Sequence, residues 1–386
     1  QPVDLAIPAA GRSAGAVGGD RLEVFRRDPL TGGLVPDQLL EHGTDGVTGM
    51  RGAADVAVTS DGRFVYVAGA VSDAIVLFAP STDGERWRFI AAVRDGADGV
   101  EGIGGVNRLL ISPDGTRLYA AGARDEALAV FEIDATSGRL TPLQVVQQGQ
   151  DGVDGLAGLT DLALARGGDA LLAVAGANQS LALFERDPAS GRLTFADILL
   201  NDDLLGTPTE DALSDPAAVI EAGDEVLVAS TANDRIGRFL IRAADPETPG
   251  AQPALAPRGR IDADVLDTAM TGPVDLTYVD DQRRLYVAAD QGVLLVSLRT
   301  EQPALVAGYA AADNPELQGL KALAVAPGER QLYTVGAGTD AEIAAWRRER
   351  GSRCPLPVRG GIGRQSVDIV AGGRLVYEVT GRVQPN

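Results

Sequence analysis

Carboxylates separated by glycines recur along this sequence. Gly43-Thr-Asp-Gly-Val-Thr-Gly49, Asp95-Gly-Ala-Asp-Gly-Val-Glu-Gly102 and Asp151-Gly-Val-Asp-Gly-Leu-Ala-Gly158 share one pattern. Hard oxygen ligands on a sharply turning chain can wrap a Ca²⁺ ion, which makes Asp95, Asp98, Asp151 and Asp154 candidate metal ligands. The spacing is not that of an EF-hand loop. The competing reading is that the Asp-Gly pairs form tight turns and keep a rim soluble.

A second set of polar residues opens short apolar lines: Asp55, Asn107, Asp161 and Asp275, with Pro216, Ala322 and Ser366 at the corresponding places. If these lines are neighbouring strands, the set forms a ring. Asp55, Asp161 and Asp275 could then hold a cation, and Asn107 could touch a ligand. Alternatively, each Asp accepts backbone N–H groups from the adjacent strand and fixes its position. Arg124 and Arg235 are candidates to bind an anionic ligand, since a guanidinium grips carboxylate in two-point fashion. Pairing with adjacent acids is the other reading for both.

Single residues exclude several chemistries. Cys354 is the only cysteine and His42 the only histidine. No intrachain disulfide, four-cysteine zinc site or His-rich metal site can form. A Ser or Cys nucleophile has no histidine near the strand starts, so a conventional acyl-enzyme hydrolase is disfavoured. Lys321 is the only lysine among the 34 basic residues.

The positioning elements follow from a repeat. Asp55-Val-Ala-Val-Thr-Ser-Asp-Gly-Arg-Phe-Val-Tyr-Val-Ala-Gly69 returns as Asn107 to Gly122 and again as Asp161 to Gly176. Weaker copies run from Pro216, Asp275, Ala322 and Ser366. Each copy reads as strand, tight turn, strand. A second hairpin follows, marked by Asp134-Ala-Thr-Ser-Gly138 and Asp187-Pro-Ala-Ser-Gly191, where Asp accepts a backbone N–H and Gly takes positive φ. Four antiparallel strands per repeat is the unit of a β-propeller. The prediction is an all-β, seven-bladed β-propeller occupying residues 1–386 as one domain. Its seventh blade is expected to be shared between about 366–383 and 21–40, so that pairing of the N- and C-terminal strands closes the ring.

The Ser112-Pro-Asp-Gly-Thr-Arg-Leu-Tyr119 line, followed by Val130-Phe-Glu-Ile-Asp-Ala-Thr-Ser-Gly-Arg-Leu-Thr-Pro142, resembles the lactonase-like seven-bladed propellers. That group includes the 6-phosphogluconolactonase and carboxymuconate-cyclase relatives and the YVTN-type surface repeats. The resemblance implies the fold and lactone chemistry at the channel mouth. No histidine of this chain matches a family motif, so no catalytic residue carries over.

Composition bounds the remainder. The chain has 386 residues and a formal net charge of −20, which argues against nucleic-acid binding, where clustered Lys and Arg are needed. No apolar run is long enough for a membrane span. The chain opens at Gln1, which reads as processing after export and gives a secreted, periplasmic or cell-surface location as the expectation. The function expected from these features is a monomeric, non-catalytic scaffold that binds a protein or small molecule and is stabilised by Ca²⁺. The alternative is a metal-dependent lactonase.

Overall fold

A computed structural model describes residues 3–6, 13–28, 33–81, 86–207, 209–245, 247–248, 250–280, 283–314, 317–325, 331–336, 343–348, 355–358, 365–370 and 374–379. Cys354 lies outside them. Seven four-stranded antiparallel sheets follow one another in chain order, spanning 4–41, 53–94, 106–147, 159–200, 216–261, 275–310 and 320–358. The first strand of each sheet packs against the first strands of the two neighbouring sheets, and the strand at Leu320–Val325 packs against Asp4–Ala6. These contacts close a seven-bladed ring, with the first strand of every blade facing the central channel. Among the described residues no helix is long and apolar enough to cross a membrane.

The repeat explains the local structure. The second strands, such as Val65–Gly69 and Ala170–Ala175, are buried along their whole length because a neighbouring blade covers each face. They therefore read as continuous apolar runs rather than alternating ones. The Asp-x-x-Ser-Gly hairpins form as expected. Asp187 Oδ1 accepts the N–H groups of Ala189 (3.1 Å) and Ser190 (2.6 Å), and Gly191 takes φ 73°. The repeated tyrosines are latches between blades. Tyr66 and Tyr119 are fully buried, and their hydroxyls donate to the carbonyls of Gly138 (2.7 Å) and Gly191 (2.9 Å) in the next blade's hairpin.

Ring closure differs from the expectation. The first blade is complete within the N-terminal segment, because Asp4–Ala6 and Ser13–Gly18 supply its two inner strands. The strands at Gln365–Val370 and Arg374–Val379 form a separate two-stranded sheet and are not shared with the strands of 21–40. The physical reason is prior occupancy: the edge of Arg21–Arg27 that the C-terminal hairpin would pair with is already taken by Ser13–Gly18. The N-terminal inner strands escape the repeat because the first is three residues long and no Asp-Gly turn joins them. The ring therefore closes by side-chain packing between its first and last blades. Leu5, Ala14, Ala16 and Phe25 pack against Ala322, Tyr333, Val335 and Ala345. Arg27 seals that seam by donating to the Tyr333 hydroxyl (2.9 Å) and to Gln331.

Candidate functional site at the channel mouth

Strand register defines the ring of residues at the mouth. The residue opposite the next-to-last position of each second strand is Asp4 (opposite Val17), Asp55 (Ala68), Arg108 (Ala121), Asp161 (Val174), Ala218 (Ala229), Asp275 (Ala288) and Ala322 (Val335). Three of the expected members, Asp55, Asp161 and Asp275, are therefore in place. Asn107 is one residue out of register, since Arg108 holds the ring position. The β-bulge at Ala121/Gly122 recurs beside Asp55 and Asp161, and the residue as far ahead of Gly115 as Asp55 is of Gly62 is Arg108, not Asn107. Pro216 lies ahead of the ring position, which Ala218 holds, because the turn after this strand is shorter: Ala222 pairs with Glu225, whereas Val58 pairs with Val65. Ser366 is replaced by Asp4, because the first blade is built from the N-terminal segment.

The ring carboxylates bind the blades together. An oxygen of Asp4 accepts the Val56 N–H (3.1 Å), Asp55 the Leu109 N–H (2.5 Å), Asp161 the Val219 N–H (2.8 Å) and Asp275 the Leu323 N–H (2.7 Å). Each acceptor thus reaches the next blade at the residue after its ring position. The backbone-accepting reading of these aspartates is correct as geometry. It does not exhaust them, because each carboxylate oxygen carries two lone pairs.

The ring lines a cavity of about 150 Å³ that also includes Val3, Ala217, Val274 and Lys321. Its electrostatics are mixed. Burial, and then the neighbouring Asp4 charge, raises the Asp55 carboxyl well above the usual carboxylate range. Burial likewise pushes Asp275 up to about 7, against the N–H groups of Leu323 and Leu276 that favour its ionised form. Asp161 is raised by burial, although Arg108 opposes the shift. Burial alone would lower the Arg108 guanidinium, but Asp161, Asp55, Asp4 and Asp275 outweigh it and hold the cation firmly charged. Arg108 Nε donates to Asp161 (3.2 Å) and Nη1 to the Asn107 carbonyl (2.9 Å). Its Nη2 meets no acceptor among the described residues. Lys321 is exposed and makes no ion pair among them.

Sequence reasoning missed Asp4, Arg108 and Lys321. Two had signals. Lys321 is the only lysine, and Arg108 sits one residue from the position singled out. Asp4 had none without a recognisable first hairpin.

The other candidates lie away from the cavity. Arg124 Nη1 grips both oxygens of Asp73 (2.7 Å each), and Arg235 Nη1 donates to the Glu210 carbonyl (2.7 Å) beside Asp211. Both arginines pair with adjacent loops and neither lines the mouth. Asn107 Nδ2 is spent on the Leu159 carbonyl (2.8 Å).

The acidic inter-blade loops are turns. Asp98-Gly99 and Asp151-Gly152 each take positive φ at both residues (53° and 76°, 50° and 80°), the pattern of a type I′ turn. Asp95 accepts the Ile103 N–H (3.1 Å), and Asp154 accepts from the Gly155 N–H (2.8 Å) and from Gln148. His42 and Gln148 stand where Asp95 stands in their own loops. They accept the N–H groups of Met50 (3.3 Å) and Leu156 (2.8 Å). The sole histidine is therefore a loop anchor. Among the described residues no three His, Cys, Asp or Glu side chains are grouped to hold a metal ion. Asp95 and Asp154 are committed to the loops, and Asp98 and Asp151 point from exposed turns, so these residues do not fit a calcium cage.

Comparison with known proteins places the repeat. Residues 19–154 and 104–200 match the family described as "Lactonase, 7-bladed beta-propeller". The resemblance carried by the repeats is thereby borne out. A 6-phosphogluconolactonase of Sodalis glossinidius is 36% identical over 114 residues, 29% of this chain and 32% of that protein. One of Pectobacterium carotovorum is 30% identical over 33% of this chain and 37% of that protein. The matches thus span about a third of those relatives' length. The fold extends further. A putative 6-phosphogluconolactonase structure from Bacteroides uniformis superposes with a TM-score of 0.63 at 16% identity, covering 87% of this chain and 90% of that one. The Pseudomonas aeruginosa periplasmic gluconolactonase gives 0.54 at 22% identity, covering 72% of each.

Proposed function

We propose that this chain, which shares the repeat of the lactonase seven-bladed propellers over residues 19–200, hydrolyses a lactone at its channel mouth. The observation that carries the reading is the pairing, in one cavity, of a carboxyl poised near pH 7 with a cation that keeps a donor open. Asp275 is the carboxyl and Arg108 the cation. The comparisons favour this reading over the non-catalytic scaffold. That scaffold reading rested on the lack of histidine at the mouth, and a carboxyl near neutrality removes the need for one.

The chemistry needs no covalent intermediate. Asp275, half ionised at neutral pH, accepts a proton from water as the water oxygen bonds to the lactone carbonyl carbon. Arg108 donates to the carbonyl oxygen as negative charge develops there. The ring C–O bond then breaks, and the leaving oxygen takes up a proton to give a hydroxy acid. Ala217, Ala218 and Ala322 leave the room in which a small ring fits.

Turnover of a panel of γ- and δ-lactones, followed by acid release at constant pH, tests the proposal. Arg108→Gln and Asp275→Asn should each lower kcat/KM by about 10²-fold or more, as loss of an oxyanion donor or a general base does. Wild-type protein that hydrolyses no lactone above the buffer rate would overturn the reading.

A further inference from the structure

Two ring carboxyls have a relationship the others lack. Asp4 and Asp55 converge on a single backbone N–H, that of Val56, at 3.1 and 2.9 Å. Burial, and then the Asp4 charge beside it, raises the Asp55 carboxyl well above the usual carboxylate range. Two carboxylates in contact cannot both ionise cheaply, so a pair of this kind retains a proton. The second oxygen of Asp55 is fixed by the Leu109 N–H, which holds its carboxyl in place on the wall. Both residues line the cavity. Arg108 faces the pair from the third blade and Lys321 from the seventh, while Asp161 and Asp275 face it across the mouth. Arg108 opposes the rise at Asp55, but burial and Asp4 outweigh it, so the wall carries a carboxyl that keeps its proton.

We infer that the Asp4–Asp55 pair is the general acid of the mouth, delivering its shared proton to the ring oxygen that leaves when the lactone opens. This rests on the lactonase reading and supplies the step that reading leaves to an unnamed donor. The balance is complete. Asp275 removes one proton from the attacking water, the C–O bond breaks, and the pair gives one proton to the departing oxygen. The pair is recharged by the proton held on Asp275, relayed through water.

An alkoxide leaving group needs an acid, whereas a phenolate leaves without much help. Asp4→Asn should therefore lower kcat/KM on aliphatic δ-lactones by about 10²-fold or more and on dihydrocoumarin, an aryl lactone, by less than fivefold. Equal losses on both substrates would overturn the acid role. An independent readout is ¹³C NMR of protein labelled at aspartate carboxyls. One resonance should titrate far above the normal carboxylate range and vanish in Asp55→Asn, and in Asp4→Asn the Asp55 resonance should move back towards that range. An Asp55 resonance unmoved by Asp4→Asn would overturn the pairing itself. A wild type that shows the paired resonance but hydrolyses neither substrate would overturn the lactonase reading and with it the acid role, leaving the pairing intact.

Discussion

Asp275 links activity to stability through one proton. Its carboxyl sits at about 7 in the folded protein against a usual 3.8, so between those limits the folded chain binds a proton that the unfolded chain does not. Stability therefore falls as pH rises from about 4 through 7 and levels off above. At 1.36 kcal/mol per pH unit the full gap is worth about 4 kcal/mol. Water in the cavity screens the carboxylate and brings the effect nearer to about 2 kcal/mol. With an unfolding entropy of about 2.1 cal/mol/K per residue, a chain of this length shifts its Tm by roughly 1 °C per kcal/mol. Asp275→Asn cannot ionise. The difference in Tm, variant minus wild type, should therefore grow by about 2–5 °C between pH 4 and pH 8, measured by scanning calorimetry at fixed ionic strength. Over the same range wild-type kcat/KM should rise about tenfold per pH unit and flatten near 7. A Tm difference constant within 1 °C would show that Asp275 titrates normally and cannot be the neutral-pH base.

The other expectations concern separate parts of the ring. Asp114 is held down to about 2, burial being outweighed by bonds from Ser112 and Thr116. Its contribution is present above about 4 and lost as pH falls towards 2, so Asp114→Ala should flatten the acid limb of a Tm-against-pH curve. Tyr119→Phe removes the hydroxyl that donates to Gly191 and accepts from Arg186 (2.6 Å). It should destabilise by about 1–3 kcal/mol in urea unfolding, because two buried partners are left unmet. Gly191→Ala combines φ 73° with a Cβ placed 2.5 Å from Arg117 Cγ and should cost at least about 1 kcal/mol. Chelation with EDTA should leave Tm and lactone turnover unchanged, and a chelator-sensitive activity would restore a metal to the mouth.

The fold was legible because its turns are chemically marked. Gly62, Gly115, Asp134 and Asp187 stand at repeated intervals, and each makes the turn its residue type favours. Register was less legible. The copy from Asn107 to Gly122 is one residue longer than that from Asp55 to Gly69, and only counting back from the turn glycine assigns Arg108 to the ring, which replaces a neutral amide by the cation of the mouth. The acidic loops misled for a related reason. Asp and Gly are also the residues that best tolerate the left-handed backbone of a type I′ turn, so a metal-like pattern arose from turn geometry. Asp4 was hidden because its strand is only three residues long.

The packed seam between the first and seventh blades has a mechanical consequence. A blade whose strands come from both chain ends is locked by hydrogen bonds, whereas this joint is held by apolar contact and a few side-chain bonds such as those of Arg27. Asp4 stands on one side of it and Lys321 on the other, both on the cavity wall. The joint therefore runs through the mouth, and a ligand touching both residues bridges it like a clasp. Occupancy of the site and integrity of the ring are then one equilibrium: filling the mouth tightens the circle, and parting the circle dismantles the mouth.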